Sequence, residues 1–213
     1  MIVLKFEKTS TSALAAHVDT LRAVTYIFRR ANVPVKYSQG YNPHMELGFS
    51  APLALGVNSL CEYVSAKVDF SDGLVQRLNA VCPQGIAFSK VWQCNVNLAA
   101  VVNRATYLVE AQGIGNVVAE VTADNYQITY TEKGKEVAKD VSNRIFAAEK
   151  VDTNTATVTL AVGNDNLRPD RLVAYLQHKH NLKGDYTITK IQSFVNSTPT
   201  DTYLQSLEKE QSK

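Results

Sequence analysis

The sequence predicts an α+β fold made of two tandem ferredoxin-like (βαββαβ) units with antiparallel sheets. Three observations predict it: short alternating segments typical of half-buried strands, amphipathic segments with helical periodicity, and a similar order of both in the two halves of the chain. With 213 residues, of which 45% are hydrophobic and 20% charged, the chain can form one large or two small domains. We place the two units at 1–96 and 97–196 and predict a polar tail at 197–213.

The first unit begins with residues 2–8, which alternate like a strand, and continues with a helical pattern over 12–31. Extended segments follow at 33–38, 44–50 and 61–70, then a helix at 72–81 and a strand at 86–94. Ser71 suits the N-cap of the second helix. The order is therefore close to β-α-β-β-α-β.

The second half repeats this pattern after a break near 95–97. We predict strands at 104–111, 126–131, 144–149, 155–162 and 186–194, a short helix at 116–122 and a longer helix at 169–178. Pro169 suits the first position of that longer helix. The strand, cap and helix of 62–78 resemble those of 155–176, which favours an internal duplication.

Composition restricts the classes of function. The net charge of +2 is too small to indicate nucleic-acid binding by itself. No segment approaches the ~18 apolar residues of a membrane span, and the first residues alternate like a strand instead of forming a signal peptide. We expect a cytoplasmic protein without a membrane partner.

The cysteines Cys61, Cys82 and Cys94 are odd in number and widely spaced. They include no C-x-x-C pair, so the pattern predicts neither a disulfide framework nor a local zinc site. Gly113-Ile114-Gly115 lacks the third glycine and the spacing of a phosphate-binding loop. We assign no metal, although His17, His44 and Glu46 are residue types that zinc accepts.

The first helix has two faces on a wheel of 100° per residue. The apolar face collects Leu14, Val18, Leu21, Val24, Phe28 and Ala31, with His17 among them. The opposite face collects Asp19, Arg22, Tyr26, Arg29 and Arg30, where Asp19 and Arg22 can pair at i, i+3. This opposite face favours anions, although arginines near a helix end also serve simply as solvated charge.

The segment from Tyr37 to His44 combines turn formers, two aromatic residues, amides and an imidazole within eight residues. Asn42 before Pro43 is biased away from the helical region, and Gly40 permits a positive φ. The loop is therefore shaped as well as polar. Two interpretations remain open: a structural loop whose amides satisfy the backbone, and a recognition loop beside the first helix.

This order of segments resembles the signature of the bacterial radical-SAM-linked domain of unknown function. The likeness is carried by 16–22, 28–31, 33–36, 37–44, 52–57 and 61–63, covers about residues 2–95, and extends more weakly to Arg168-Pro169. Two positions depart from the pattern: Ala16 stands where a serine is expected and Met45 where a proline is expected. The departure at Ala16 argues against a role that needs a hydroxyl there.

The resemblance implies a partner, because this domain is fused to a radical S-adenosylmethionine protein or encoded near one. Such an enzyme holds a [4Fe–4S] cluster on closely spaced cysteines, which this chain does not have. We therefore expect no cofactor in this chain, and S-adenosylmethionine and a 4Fe-4S cluster in a radical-SAM protein that acts in trans.

We predict substrate-binding residues on the first helix, the loop and a later strand, and leave the catalytic residues unassigned. They are His17, Asp19, Arg22, Arg29, Arg30, Tyr37, Ser38, Gln39, Gly40, Tyr41, Asn42, His44 and Glu62. A histidine on an apolar helix face is also a common buried core residue, and a glutamate that opens a strand is also a common solvated charge. Both structural alternatives stay open.

Three hypotheses of function follow. The first is a non-catalytic recognition domain that presents RNA or another anionic macromolecule to the radical-SAM enzyme. The second is a metal-independent endoribonuclease in which His17 and His44 act as base and acid, with Arg22 or Arg29 stabilising the phosphorane. The third is a protein–protein adaptor with a small-molecule pocket, for instance for the carboxylate of S-adenosylmethionine. We favour the first, with no stand-alone chemistry.

Overall fold

The computed structural model describes residues 1–132 and 134–211. The chain forms an α+β protein with antiparallel sheets and divides into two compact units. Unit 1 comprises residues 1–102 together with the chain from Phe194 onward, and unit 2 comprises residues 103–193. The predicted boundary at 96/97 therefore lies six residues too early, and the C-terminal segment belongs to the first unit.

Seven strands and helices of unit 1 lie within residues 1–102. In chain order they are β1 (Ile2–Lys8), α1 (His17–Arg30), β2 (Leu47–Phe49), β3 (Asn58–Ala66), α2 (Leu74–Asn79), β4 (Ile86–Trp92) and α3 (Leu98–Val101). Strand β1 lies between β4 and β3, with Val3 opposite both Trp92 and Ser65, and β2 pairs with β3. All these pairings are antiparallel.

Strand β1 is buried on both faces over most of its length. Ile2, Leu4 and Phe6 pack with Val24 and Phe28 of α1 in one core cluster. Val3, on the other face, packs in a second cluster that includes Tyr63 and Trp92. Burial of both faces makes β1 the central strand of this unit's core.

The first helix is shorter than the predicted 12–31. A 3-10 turn covers Ser10–Leu14, and α1 begins only at His17 because Ala15 and Ala16 are extended. The side chain of Lys8 holds this break, since its Nζ donates a hydrogen bond to the Ala15 carbonyl at 2.8 Å. A buried lysine on β1 thus binds the backbone at the break between the 3-10 turn and the helix.

The predicted apolar face of α1 is consequently wrong in its first turns. Leu14 is 70% exposed and Val18 55% exposed. The buried positions are Thr20, Val24, Ile27 and Phe28. Because α1 starts at His17, its buried stripe runs along 17, 20, 24, 27 and 28 and only its C-terminal half coincides with the predicted face.

Unit 2 contains antiparallel strands and one longer helix. Its elements are β5 (Arg104–Ala111), β6 (Gln127–Glu132), β7 (Lys135–Asp140), β8 (Ile145–Lys150), β9 (Thr155–Ala161), α4 (Pro169–Lys179) and β10 (Tyr186–Val195). Strands β10, β5, β9 and β8 are neighbours in that order, whereas β6 and β7 form a separate hairpin. Pro169 opens α4 as predicted.

Several predicted elements of the chain are wrong in type or extent. The segment predicted as a helix at 116–122 consists of two 3-10 turns, because its valines and threonine disfavour a short isolated helix. The segment at 33–38 forms no strand beyond a bridge from Tyr37 to Met45. Helix α2 begins at Leu74 after Gly73, so Ser71 is not its N-cap. The lysine-rich segment 133–135 was expected to be a solvated hairpin or loop. Lys135 opens β7 of the β6–β7 hairpin, and Lys133 lies outside the described residues.

The predicted polar tail at 197–213 is also wrong over its described part. After the short strand β11 (Thr198–Pro199), which pairs with the end of β10, the helix α5 covers Thr200–Gln211. Leu204 of α5 is fully buried in the cluster of Val3, Tyr63 and Trp92. Residues 212 and 213 lie outside the described part of the chain.

Candidate functional site

His17 is the first residue of α1 and its side chain is half-buried. Its ring packs edge-on against Phe49, with the ring centroids 6.4 Å apart and the planes at 84°. Ala16 at the N-cap offers no capping side chain, while Thr20 Oγ1 donates to the Ala16 carbonyl at 3.1 Å. The helix start therefore fixes the imidazole over β2 and leaves one edge of the ring accessible.

His17 lines a small polar cavity of about 10 Å³ in unit 1. The other lining residues are Lys8, Thr20, Ser50 and Glu62, with Phe6, Phe49 and Leu53 as apolar wall. This volume suits a single small polar molecule such as water. The structure thus brings together two of the predicted site residues, His17 and Glu62, which lie 45 positions apart.

Lys8 also lines this cavity, although the sequence analysis did not predict it as a site residue. It is only 2% exposed. A signal was present in the sequence, because Lys8 follows Ile2, Leu4 and Phe6 at the same period of two and must face the same core. A lysine in phase with a buried strand face indicates an internal charge with a partner.

Glu62 and two serines complete the polar cluster. Glu62 is 7% exposed, and Ser59 Oγ donates to its Oε1 at 2.7 Å. Ser50 is buried, and its Oγ has no hydrogen-bond partner among the described residues. We define this set, Lys8, His17, Ser50, Ser59 and Glu62, as the polar cluster. No pattern in the sequence indicated Ser50 or Ser59.

Burial in the polar cluster lowers the pKa values of its two bases, Lys8 and His17. Burial lowers the pKa of the Lys8 ammonium, and the negative charge of Glu62 offsets part of this effect. Burial also lowers the pKa of His17, Glu62 raises it in part, and Lys8 lowers it further. Burial therefore favours the neutral form of the imidazole.

We expect NMR titration to give His17 a midpoint below its ordinary value of 6.5. Glu62→Gln should lower that midpoint further, because it removes the charge that favours the imidazolium, whereas Lys8→Met should raise it. Since the unfolded state then binds more protons than the folded one, this histidine makes the protein less stable as the pH falls below the unfolded value. A midpoint at or above the ordinary value, or identical midpoints in both variants, would contradict the described electrostatics.

The Tyr37–His44 loop is closed by its own hydrogen bonds. Ser38 N donates to the His44 carbonyl at 2.8 Å, His44 N donates to Ser38 Oγ at 3.1 Å, and Ser38 Oγ lies 2.9 Å from His44 Nδ1. Tyr41 at the tip is fully exposed, and Gly40 has a φ of 153°. Ser38 and His44 thus have a structural role, while the tip presents an unburied aromatic ring.

The charged face of α1 is exposed as predicted. Arg22 Nη1 pairs with Asp19 Oδ1 at 3.3 Å, and both side chains are largely exposed. The Arg29 guanidinium lies 5.9 Å from the ring centre of Tyr26, and Arg30 is exposed. The predicted i, i+3 pairing of Asp19 with Arg22 is confirmed.

A second, larger site lies at the C-terminal end of α1. This basic groove has a volume of about 900 Å³ and is lined by the segments 31–34 and 67–71 together with Met1, Lys36, Arg77 and Asn95. Its charged lining consists of Lys36, Lys67, Arg77 and Asp69, and Phe70 contributes a ring that is 40% exposed. Lys67 also pairs with Glu46 at 2.8 Å, and Arg77 donates to Ser71 Oγ at 2.7 Å.

The predicted site residues therefore fall into separate places. None of them lines the basic groove, although Ala31 and Lys36, next to Arg30 and Tyr37, do. No residue from Tyr37 to His44 lines the polar cavity. The loop, the arginines of α1 and the polar cavity are thus three features of one unit.

Within residues 1–132 and 134–211, no group of three or more His, Cys, Asp or Glu side chains is placed to hold a metal ion. Burial raises the pKa of Cys82 and of Cys94 to about 11, so both are protonated thiols. No helix in the described chain is both long and apolar enough to cross a membrane.

Fold and site together define an α+β domain with an internal polar cluster and an open basic groove. A family model described as "Uncharacterized protein conserved in bacteria (DUF2344)" matches residues 1–169. The chain belongs to this bacterial family. The predicted likeness to a bacterial domain of unknown function is thereby confirmed, and the link to a radical-SAM enzyme stays a prediction.

The other comparisons are distant. No curated protein matches the chain. Among solved structures, it is similar to a chain in the "Crystal Structure of a Cbf5-Nop10-Gar1 Complex", at 11% identity and a TM-score of 0.44. The similarity covers 90% of this chain and 48% of the other, so the chain spans about half the length of the solved chain it matches.

Proposed function

We propose that this protein is a recognition domain that binds RNA in the basic groove of unit 1 and works with a radical-SAM enzyme in trans. The groove itself carries the proposal. Its volume of about 900 Å³ lies at the upper end of small-molecule pockets, and it opens to solvent along exposed backbone segments. A strand of nucleic acid fits such an open, charged channel better than a compact metabolite does.

The charge and aromatic content of the groove support RNA. Lys36, Lys67 and Arg77 supply three positive charges, against Asp69 in the lining and Glu46, which pairs with Lys67 at 2.8 Å. One positive charge is left in excess. Phe70 offers an exposed ring on which a base can stack. Cations that follow a phosphate backbone, combined with stacking rings, are typical of proteins that bind single-stranded nucleic acid.

Further arginine and tyrosine side chains of unit 1 are adjacent in sequence to residues that line the groove. Arg29 and Arg30 end the helix whose next residue, Ala31, lines the groove. Tyr37 and Tyr41, 40% and 100% exposed, follow Lys36 along the chain. Exposed rings that the core does not use are available to a ligand.

The partnership with a radical-SAM enzyme rests on the signature in residues 16–63. Radical generation requires a cluster on cysteine thiolates, whereas Cys82 and Cys94 favour the protonated form. S-adenosylmethionine and the 4Fe-4S cluster therefore belong to the partner in this proposal. The proposal also includes two tandem ferredoxin-like units. The β-α-β-β-α-β order of the elements from β1 to β4 supports the first of them.

The test is RNA binding by the whole chain as a function of salt. We expect the triple variant Lys36→Gln, Lys67→Gln, Arg77→Gln to weaken binding and to reduce the salt slope by about 2, since each contact with single-stranded RNA contributes about 0.7. Replacing Arg22, Arg29 and Arg30 with alanine should weaken binding less, because these residues lie outside the groove. All six side chains are exposed, so neither variant should change the melting temperature much.

Matched controls separate the outcomes. Lys183→Gln removes an exposed charge from unit 2 and should leave binding unchanged. Equal binding by the groove variant and the unaltered protein would refute the RNA site. Cleavage of RNA by the metal-free protein alone, abolished by His44→Ala, would favour the endoribonuclease hypothesis instead, whereas turnover of S-adenosylmethionine only after the radical-SAM protein is added would support the partnership.

A further inference from the structure

The buried hydroxyl of Ser50 requires a hydrogen-bond partner. Ser50 follows β2 and is 5% exposed, and its Oγ has no partner among the described residues. Its backbone N–H donates to the Tyr63 carbonyl at 3.2 Å, which holds the residue beside β3. Because a buried hydroxyl without a hydrogen bond destabilises the folded state, such groups in native proteins are paired with protein or with ordered water.

The polar cavity that Ser50 lines has room for one water molecule. Its volume of about 10 Å³ is close to the ~10–15 Å³ that a single water needs, and it is far too small for a metabolite. One wall is apolar, formed by Phe6, Phe49 and Leu53, and the other is polar. A water in such a site needs roughly two to four polar partners, and the polar wall supplies them.

The hydrogen-bonding roles of two lining residues are set by their chemistry. An ammonium group only donates, and one of the N–H groups of Lys8 is used by the Ala15 carbonyl at 2.8 Å. Burial lowers the pKa of Lys8, and the negative charge of Glu62 partly offsets this and favours the ammonium. Thr20 Oγ1 donates to the Ala16 carbonyl at 3.1 Å, so it accepts from any further partner. A water molecule, which both accepts and donates, matches this combination of a donor and an acceptor.

We propose that the polar cluster binds one ordered water molecule, which accepts a hydrogen bond from Lys8 and donates one to the imidazole of His17. Ser50 Oγ is its third partner and thereby gains the hydrogen bond that no described residue provides. Buried waters in proteins make about three hydrogen bonds, so these partners are sufficient. The water joins the end of β1, the start of α1 and the residue after β2.

This arrangement sets which nitrogen of His17 carries the proton. Burial lowers the pKa of His17 and favours the neutral imidazole, in which one ring nitrogen accepts a hydrogen bond and the other donates one. The nitrogen that faces the water accepts, so the proton lies on the other nitrogen, at the accessible edge of the ring. His17 thus offers a hydrogen-bond donor to a carbonyl or phosphate oxygen of a ligand. None of the residues described as lining this cavity also lines the basic groove, so the inference does not depend on RNA binding.

NMR measurements on the full chain test this water. Relaxation dispersion of the solvent oxygen nuclei counts long-lived internal waters, and the nitrogen chemical shifts of the His17 ring report its tautomer. We expect one predominant tautomer in the unaltered protein. Ser50→Val removes the hydroxyl and fills the cavity with methyl groups, so we expect it to lose one long-lived water and to bring the two ring shifts closer together. Ser50→Ala removes only the hydroxyl and is expected to cause the same changes to a smaller extent, which keeps the test open if Ser50→Val does not fold.

Thr200→Val is the matched control. Thr200 Oγ1 is also buried without a partner among the described residues, but Thr200 does not line the polar cavity. This change of similar size should therefore leave the His17 shifts as they are. An unchanged water count in both Ser50 variants, equal populations of the two tautomers in the unaltered protein, or the same change of the His17 shifts in Thr200→Val would refute the water site.

Discussion

Replacing Glu62 with leucine is expected to lower the free energy of unfolding by about 3–5 kcal/mol, since removing one partner of a buried charge pair leaves the other without compensation. Glu62 is 7% exposed and Lys8 only 2% exposed. The charge of Glu62 is what partly offsets the cost of burying the Lys8 ammonium. Without it, the lysine must either lose its proton or draw water into the core of unit 1.

A double-mutant cycle tests this coupling by chemical denaturation at neutral pH. Lys8→Met combined with Glu62→Leu replaces both charges with apolar side chains of similar size, and we expect the double variant to be more stable than the sum of the single losses predicts. The control is the exposed pair of Lys67 with Glu46, where the same kind of replacement should cost about 0–1 kcal/mol. Additive losses at Lys8 and Glu62 would mean that the two charges do not stabilise each other.

The same cluster illustrates what a sequence does and does not reveal. Strands β1 and β9 and the start of α4 at Pro169 could be predicted because alternation and a helix-start residue are local signals. Lys8 was predictable in principle from its phase on β1. That it meets His17 and Glu62 depends on the antiparallel register of β1 and β3, which no local pattern encodes.

The secondary-structure elements that the sequence analysis did not predict are stabilised by contacts with other segments of the chain. Strand β7, Lys135–Asp140, is almost entirely exposed and polar, and it exists because it pairs with β6. Helix α5 was predicted as a polar tail because most of its residues are charged or polar. Leu204 is its buried anchor, and Tyr203 and Leu207 pack against the same cluster. Three apolar residues within five positions are too short a pattern to show a helical periodicity.

Helix α5 is also held to unit 1 by Asp201 in its first turn. Asp201 accepts hydrogen bonds from Lys5 Nζ at 3.0 Å, Lys90 Nζ at 2.8 Å and the Tyr63 hydroxyl at 2.6 Å. Burial alone would raise the pKa of this carboxyl, but the bonds from Lys90, Tyr63 and Lys5 bring it below the ordinary value. The carboxylate thus joins three strands, β1, β3 and β4, to the C-terminal helix.

We expect Asp201→Asn to cost about 1.5–3 kcal/mol at neutral pH, the range for hydrogen bonds to a charged group. Because the folded pKa of Asp201 lies below the unfolded one, its contribution is present above the unfolded pKa of about 3.9 and is lost as the pH falls through the folded value. The gap in unfolding free energy between the unaltered protein and Asp201→Asn should therefore narrow on acidification below about pH 4.

Leu204→Ala provides the matched control, because it weakens the same helix through packing and not through charge. We expect it to cost about 2–5 kcal/mol, the range for a fully buried leucine, and to leave a gap that does not change with pH. Urea unfolding of the three proteins across the acid range gives both gaps. If the difference in unfolding free energy for Asp201→Asn stays constant on acidification, the three hydrogen bonds do not lower the pKa of Asp201. If the differences for both variants change equally with pH, the acid sensitivity comes from groups other than Asp201.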